Sequence, residues 1–146
     1  MPLQSSNTML AGEAFKAIRD NAVGWKAQAQ NANVSLTGTV NADFIFRMLD
    51  QLGAVIAALN AWKAVAGLDA FATGQTYTGT MSSDCTATVN AAQACINWVV
   101  TNFPVASTFL QAYTLNADGS RTPRSFTSAQ TAGLQTALTS FIATIS

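Results

Sequence analysis

The side chains that could do chemistry in this chain are few. There is no histidine, and a single glutamate, Glu13, stands beside six aspartates: Asp20, Asp43, Asp50, Asp69, Asp84 and Asp118. Carboxylates working as a general acid and base need an apolar pocket that raises one pKa. These six fall at helix starts, on helix faces or in a turn, and none has that context. A serine or threonine nucleophile would find only Lys16, Lys26 and Lys63 for activation. The sequence has no phosphate-cradling glycine loop, no nucleophile elbow and no zinc-ligand spacing. Cys85 and Cys95 fall in one helical pattern. Their separation along it is about 15 Å, too far for a disulfide, and they point to different sides. The expectation is therefore two free core thiols, no catalytic residue, no metal site and no cofactor.

Charge carries more information. Seven basic residues balance seven acidic ones, which excludes a basic nucleic-acid-binding face and predicts no sequence-specific nucleic-acid contact. Hydrophobic residues make up 49% of the chain, enough for a folded core, while charged residues are only 10%. An ordinary soluble domain has about 25%. A neutral surface this poor in charge tends to self-associate, and interface cores are depleted in charge. No charge lies between Asp84 and Asp118, and none follows Arg124. The expectation is a surface largely covered by other subunits, copies of the chain among them. The alternative is an ordinary soluble protein hydrated by Thr, Asn and Gln. Residues 1–10 lack the basic start and apolar core of a secretory signal. The most apolar stretch, 49–72, contains Asp50, Asn60, Lys63 and Asp69, so no membrane span is expected.

Four apolar stripes with 3/4 spacing must supply the framework. Phe15, Ile18, Ala22, Trp25 and Ala29 predict a helix over about 8–31, weakened by Gly12 and Gly24. Ile45, Met48, Leu52, Val55, Leu59 and Trp62 predict one over 42–66, capped by Asn41 and stopped by Gly67. Cys85, Val89, Ala92, Ile96, Val99 and Phe103 predict one over 83–103, capped by Ser82 or Ser83 and ended by Pro104. Leu134, Leu138, Phe141 and Ile145 predict a last helix from Ser128, opened by a Thr127/Gln130 capping box. Residues 33–40 read as an extended linker in preference to a short strand. Residues 71–82 read as a long loop whose Tyr77 and Met81 either form a docking tip or fold back onto the core. A short helical segment is expected at 106–111. The stripes lack e/g charges, so they predict one helical domain over 1–146: an all-α, antiparallel bundle of about four helices.

Residues 112–126 have a different texture. Asn116-Ala117-Asp118-Gly119 is a turn signal, flanked by Tyr113 and Leu115 before and by Arg121 to Phe126 after. This predicts a short β-hairpin or extended arm before the last helix, with Pro123 on an edge. Arg121 and Arg124 are the only positive side chains after Lys63. An arm reaching a neighbouring subunit favours arginine with aromatic anchors. The candidate partner-binding residues are therefore Tyr113, Arg121, Arg124 and Phe126. Trp98, one position off its stripe, joins them, whereas Trp25 and Trp62 read as core.

Residues 116–134, NADGSRTPRSFTSAQTAGL, together with Val40-Asn41-Ala42-Asp43 and the run from Trp98 to Pro104, resemble a recurrent pattern in small virion structural proteins of tailed bacteriophages. The resemblance covers about the last two-thirds of the chain. That group often has proline where this chain has Ser128. The resemblance implies a non-enzymatic virion subunit, present in several copies and assembled in the bacterial host cytoplasm. Its partners would be portal, adaptor or capsid proteins. The first expectation is an accessory protein of the head–tail connector. A capsid decoration protein, or a small cytosolic helical adaptor or regulator using one groove, are the alternatives. The group supplies no catalytic or binding residue to carry over.

Overall fold

The computed structural model describes residues 9–103 and 113–146. The short helical segment expected at 106–111 lies outside them. The described chain is mostly helical: α1 (Ala11–Ser35), β1 (Val40–Asn41), α2 (Ala42–Lys63), α3 (Leu68–Gly74), α4 (Met81–Asn102), β2 (Tyr113–Leu115), β3 (Arg121–Pro123), β4 (Ser125–Phe126) and α5 (Ala132–Ala143). Helix α4 packs against α2 and α5, and α1 against α2, α3 and α5. No helix among the described residues is long and apolar enough to cross a membrane.

The stripes do become the core. On α2, Ile45, Met48, Leu52, Val55 and Leu59 are all buried. Its start is set as the sequence implied, with the Asn41 side chain accepting the Phe44 N–H at 3.0 Å. Leu134, Leu138 and Phe141 on α5, with Ile145 beyond it, are buried too. The Thr127/Gln130 capping box is present: Gln130 Oε1 accepts the Thr127 N–H at 2.9 Å, and Thr127 Oγ1 accepts the Gln130 N–H at 3.3 Å. Regular helix begins only at Ala132, after one turn. Trp25 and Trp62 stack on each other at 6.1 Å, half-buried against the core.

Several expectations are corrected. There are five helices among the described residues, because 71–82 is not one long loop. Gly67, at φ +81°, reverses the chain and α3 follows at once. Tyr77 then folds back: its ring meets Phe15 edge-on at 6.4 Å, and its hydroxyl donates to Asp84. Met81 is buried, and α4 begins there. Its cap comes from α3, where the Asp69 carboxylate accepts the Ser82 N–H at 2.7 Å and the Ser82 hydroxyl at 2.6 Å. No local sequence pattern announces a cap supplied from another helix. Both cysteines face inward, not to different sides. Because α4 is packed on α2 and on α5, its buried arc is wide enough to take Cys85, Thr88, Ala92, Cys95 and Val99 together.

The 33–40 linker is corrected as well. Helix α1 continues to Ser35, and Val40–Asn41 is a strand paired antiparallel with β4: Val40 opposite Phe126, Asn41 opposite Ser125. The Ala42 N–H extends the pairing by donating to the Arg124 carbonyl at 2.7 Å. At the corner between α1 and β1, Leu36 is fully buried. Its carbonyl accepts from Gln135 Nε2 at 2.8 Å and from Thr131 Oγ1 at 3.4 Å. A buried carbonyl without partners would cost about 1–3 kcal/mol, so these two α5-end side chains close the corner.

Candidate partner-binding surface

The arm is a two-stranded hairpin, β2 against β3, with Tyr113 opposite Pro123, Thr114 opposite Thr122 and Leu115 opposite Arg121. Its turn is self-sufficient. The Asn116 N–H donates to the Ser120 carbonyl at 2.8 Å and the Gly119 N–H to the Asn116 carbonyl at 3.0 Å. Gly119 takes φ +84°, which side-chain-bearing residues rarely adopt. The Asp118 carboxylate accepts from the Ser120 hydroxyl at 2.6 Å and its N–H at 3.0 Å. Those bonds hold it below the ordinary carboxylate range, the hydroxyl contributing most. Thr114 and residues 117–123 are exposed.

The five residues expected to bind partners do not form one surface. Arg121 is exposed on the hairpin and makes no ion pair with another described residue. Tyr113 is half-buried against the core. Arg124 is half-buried, its guanidinium 6.0 Å from the Phe126 ring. Phe126 itself is only 6% exposed. It stacks on Phe103 at 4.3 Å, and Phe103 meets Trp98 edge-on at 5.3 Å. Trp98 in turn lies against Gly133, so close that no side chain fits there. This row of three rings clamps the root of the arm between α4 and α5. Phe126 and Trp98 therefore act within the chain, and the surface left to a neighbour is the hairpin with Arg121.

Two further surfaces emerge only in three dimensions. The first is the outward side of α4 and α5. Ala87, Asn90, Ala94, Asn97 and Thr101 on α4, and Ala132, Thr136, Thr139, Ser140 and Ala143 on α5, are exposed and uncharged. Asp84 is the one charged residue on either helix. Val100, 47% exposed, adds an apolar side chain. The charges sit instead on α1, α2, α3 and the hairpin.

The second is a groove of about 660 Å³ between α1 and the start of α4. Ile18, Ala22, Trp25, Leu59, Met81, Cys85 and Ile145 supply its apolar lining. Arg19, Asp20, Tyr77 and Asp84 add polar groups, and Val23 an exposed apolar one. Asp20 is ion-paired with Lys16 at 2.6 Å, and Arg19 lies over the Phe15 ring at 5.4 Å. Asp84 takes the Tyr77 hydroxyl and no cationic side chain among the described residues. Burial, then Asp84, raises the Tyr77 phenol well above its ordinary range. The same two causes push the Cys85 thiol up to about 11. Both groups keep their protons at neutral pH, so this thiol is not an activated nucleophile. Among the described residues no three His, Cys, Asp or Glu are placed to hold a metal ion. No protein-family model, curated protein or solved structure matches the chain. The groove was not visible in the sequence, because three helices and the end of the chain contribute to it. Asp84 read there only as one of six aspartates without an apolar pocket.

Proposed function

We propose that the chain is a non-enzymatic structural subunit of a tailed-phage virion, an accessory protein of the head–tail connector region present in several copies. The observation that carries this reading is the uncharged outward side of α4 and α5. A solvated helix face normally carries ion pairs at i,i+4, whereas a face covered by neighbours does not need them. The hairpin, projecting beyond its clamped root, gives such a subunit a means of reaching the next one. In this reading the four long helices run antiparallel: the short 36–41 connection favours it for α1 and α2, and α4 packs against both α2 and α5. Mass spectrometry of purified particles from the source of this sequence should find the chain at several copies per particle. A low-resolution map should then place it between head and tail. Absence from purified particles refutes the reading, and a position on the capsid surface replaces it with a decoration protein.

One observation favours a second reading, a small helical adaptor that takes one partner in one groove. The cleft between α1 and α4 is of ligand-pocket size, and the charged residues of α1 and α2 give that side a solvated character. An adaptor would be found in host cytoplasm at one copy per partner and be missing from particles.

A further inference from the structure

The hairpin and the groove lie at opposite ends of the helices. Helix α2 begins beside the strand pair at the arm's root and reaches the groove at Leu59. From Ala42 to Leu59 the helical rise is about 25 Å. Helix α4 repeats the relation, with Cys85 in the groove and Phe103 against the arm's root. The hairpin strands have three residues each, a reach of about 10 Å. The arm therefore cannot occupy the groove of its own chain.

The two surfaces are also complementary. The lining of the groove includes two carboxylates, Asp20 and Asp84, against one guanidinium, Arg19. Lys16 pairs with Asp20 and Arg19 lies over the Phe15 ring, so the groove is close to neutral as a whole while Asp84 has a phenol for a partner and no ion pair among the described residues. The hairpin offers Arg121, exposed and without an ion pair among them, while its one carboxylate, Asp118, is held in the turn by Ser120. Pro123, exposed beside it, supplies apolar surface for the groove's apolar lining. At about 30 Å³ per water, the groove holds on the order of twenty waters for an entering segment to displace.

We propose that the hairpin of one copy docks in the α1–α4 groove of the next, with Arg121 pairing to Asp84, an inference that rests on the multi-copy reading above. Because the two surfaces differ and lie at opposite ends, the contact is head-to-tail. Repeated, it closes into a ring or runs on as a filament, and a ring is the form a connector needs.

The test is sedimentation velocity on the whole chain from micromolar to near-millimolar concentration, at low and high salt. The wild-type chain should form a ladder of oligomers that weakens with salt. Arg121→Glu on the hairpin and Val23→Arg at the groove should each weaken association about tenfold. Val23 is 72% exposed, so its replacement leaves folding intact, as circular dichroism should verify. Asp84→Lys should weaken association similarly. Mixing Asp84→Lys with Arg121→Glu sets opposite charges at both kinds of cross-contact, the hairpin of one variant against the groove of the other, and should restore the association that each variant alone has lost. A chain that stays monomeric throughout, or one whose association ignores both Arg121→Glu and Val23→Arg, overturns the docking. Particle content separates this from the parent reading. A chain present in particles but failing these tests loses the docking alone, whereas a chain absent from particles loses the virion role.

Discussion

Replacing Gly133 with alanine sets a steric clash against a gain in helix propensity, and the structure decides which prevails. A Cβ at this position would lie 2.2 Å from Nε1, 2.5 Å from Cε2 and 2.7 Å from Cζ2 of Trp98. The indole has little room to withdraw, because its ring rests on Phe103, which stacks on buried Phe126. Overpacking of this kind costs about 1–3 kcal/mol. Alanine recovers at most about 1 kcal/mol over glycine in a helix interior, and less in the first turn where Gly133 lies. The net expectation is a loss of about 1–2 kcal/mol, or about 3–6 °C in Tm for a chain of this size. Thermal melting by circular dichroism measures it. Gly53→Ala in α2 is the control: nothing lies within 4 Å of its added Cβ, so it should stabilise by about 0.4–1 kcal/mol. Combining Gly133→Ala with Trp98→Leu should remove the clash, giving a coupling of about 1 kcal/mol or more in the double-mutant cycle. If Gly133→Ala raises Tm as Gly53→Ala does, the clamp at the arm's root is not as described.

Leu59→Ala, at a buried α2 position, should cost about 2–5 kcal/mol by denaturant unfolding; a neutral effect would take α2 out of the core. Phe126→Ala should cost about 3–5 kcal/mol, whereas shortening the exposed 117–120 turn to Gly-Gly should leave Tm within a few degrees. Equal effects would contradict the division of the arm into buried root and free tip. Both thiols should remain unmodified by iodoacetamide in the native protein at neutral pH and react fully on unfolding, with no disulfide by mass. Burial raises both from the ordinary 9.0 up to about 11. The unfolded chain therefore gives up its thiol protons first, and this contribution to stability, complete below pH 9, is lost between about pH 9 and 11. Cys85→Ser with Cys95→Ser should flatten that part of the pH profile, and an unchanged slope would refute the assignment.

The helix stripes were legible in the sequence because burial on a helix repeats every 3.6 residues. Asn41 and the Thr127/Gln130 pair were legible because a capping side chain acts within its own turn. What escaped was nonlocal. Asp69 caps a helix thirteen residues away in sequence. Val40 becomes a strand only because Ser125 and Phe126 arrive beside it. Phe126 and Trp98 carried the aromatic character of a docking anchor, and composition cannot tell an anchor that meets a neighbour from one that meets Phe103. The hairpin turn was plain from Asn116 to Gly119, but the groove had no linear signature.

The Leu36 corner also fixes an order of events during synthesis. Its polar partners, Gln135 and Thr131, lie 99 and 95 residues downstream. A ribosome adding about 5–20 residues per second takes on the order of 5–20 s to deliver them. Throughout that interval α1 lacks α5, one of the helices packed against it, and the Leu36 carbonyl stays open to water. Long-range closures of this kind are slow even in a finished chain. A nascent chain halted before residue 131 would hold four of the five described helices and still lack the two side chains that close the Leu36 corner.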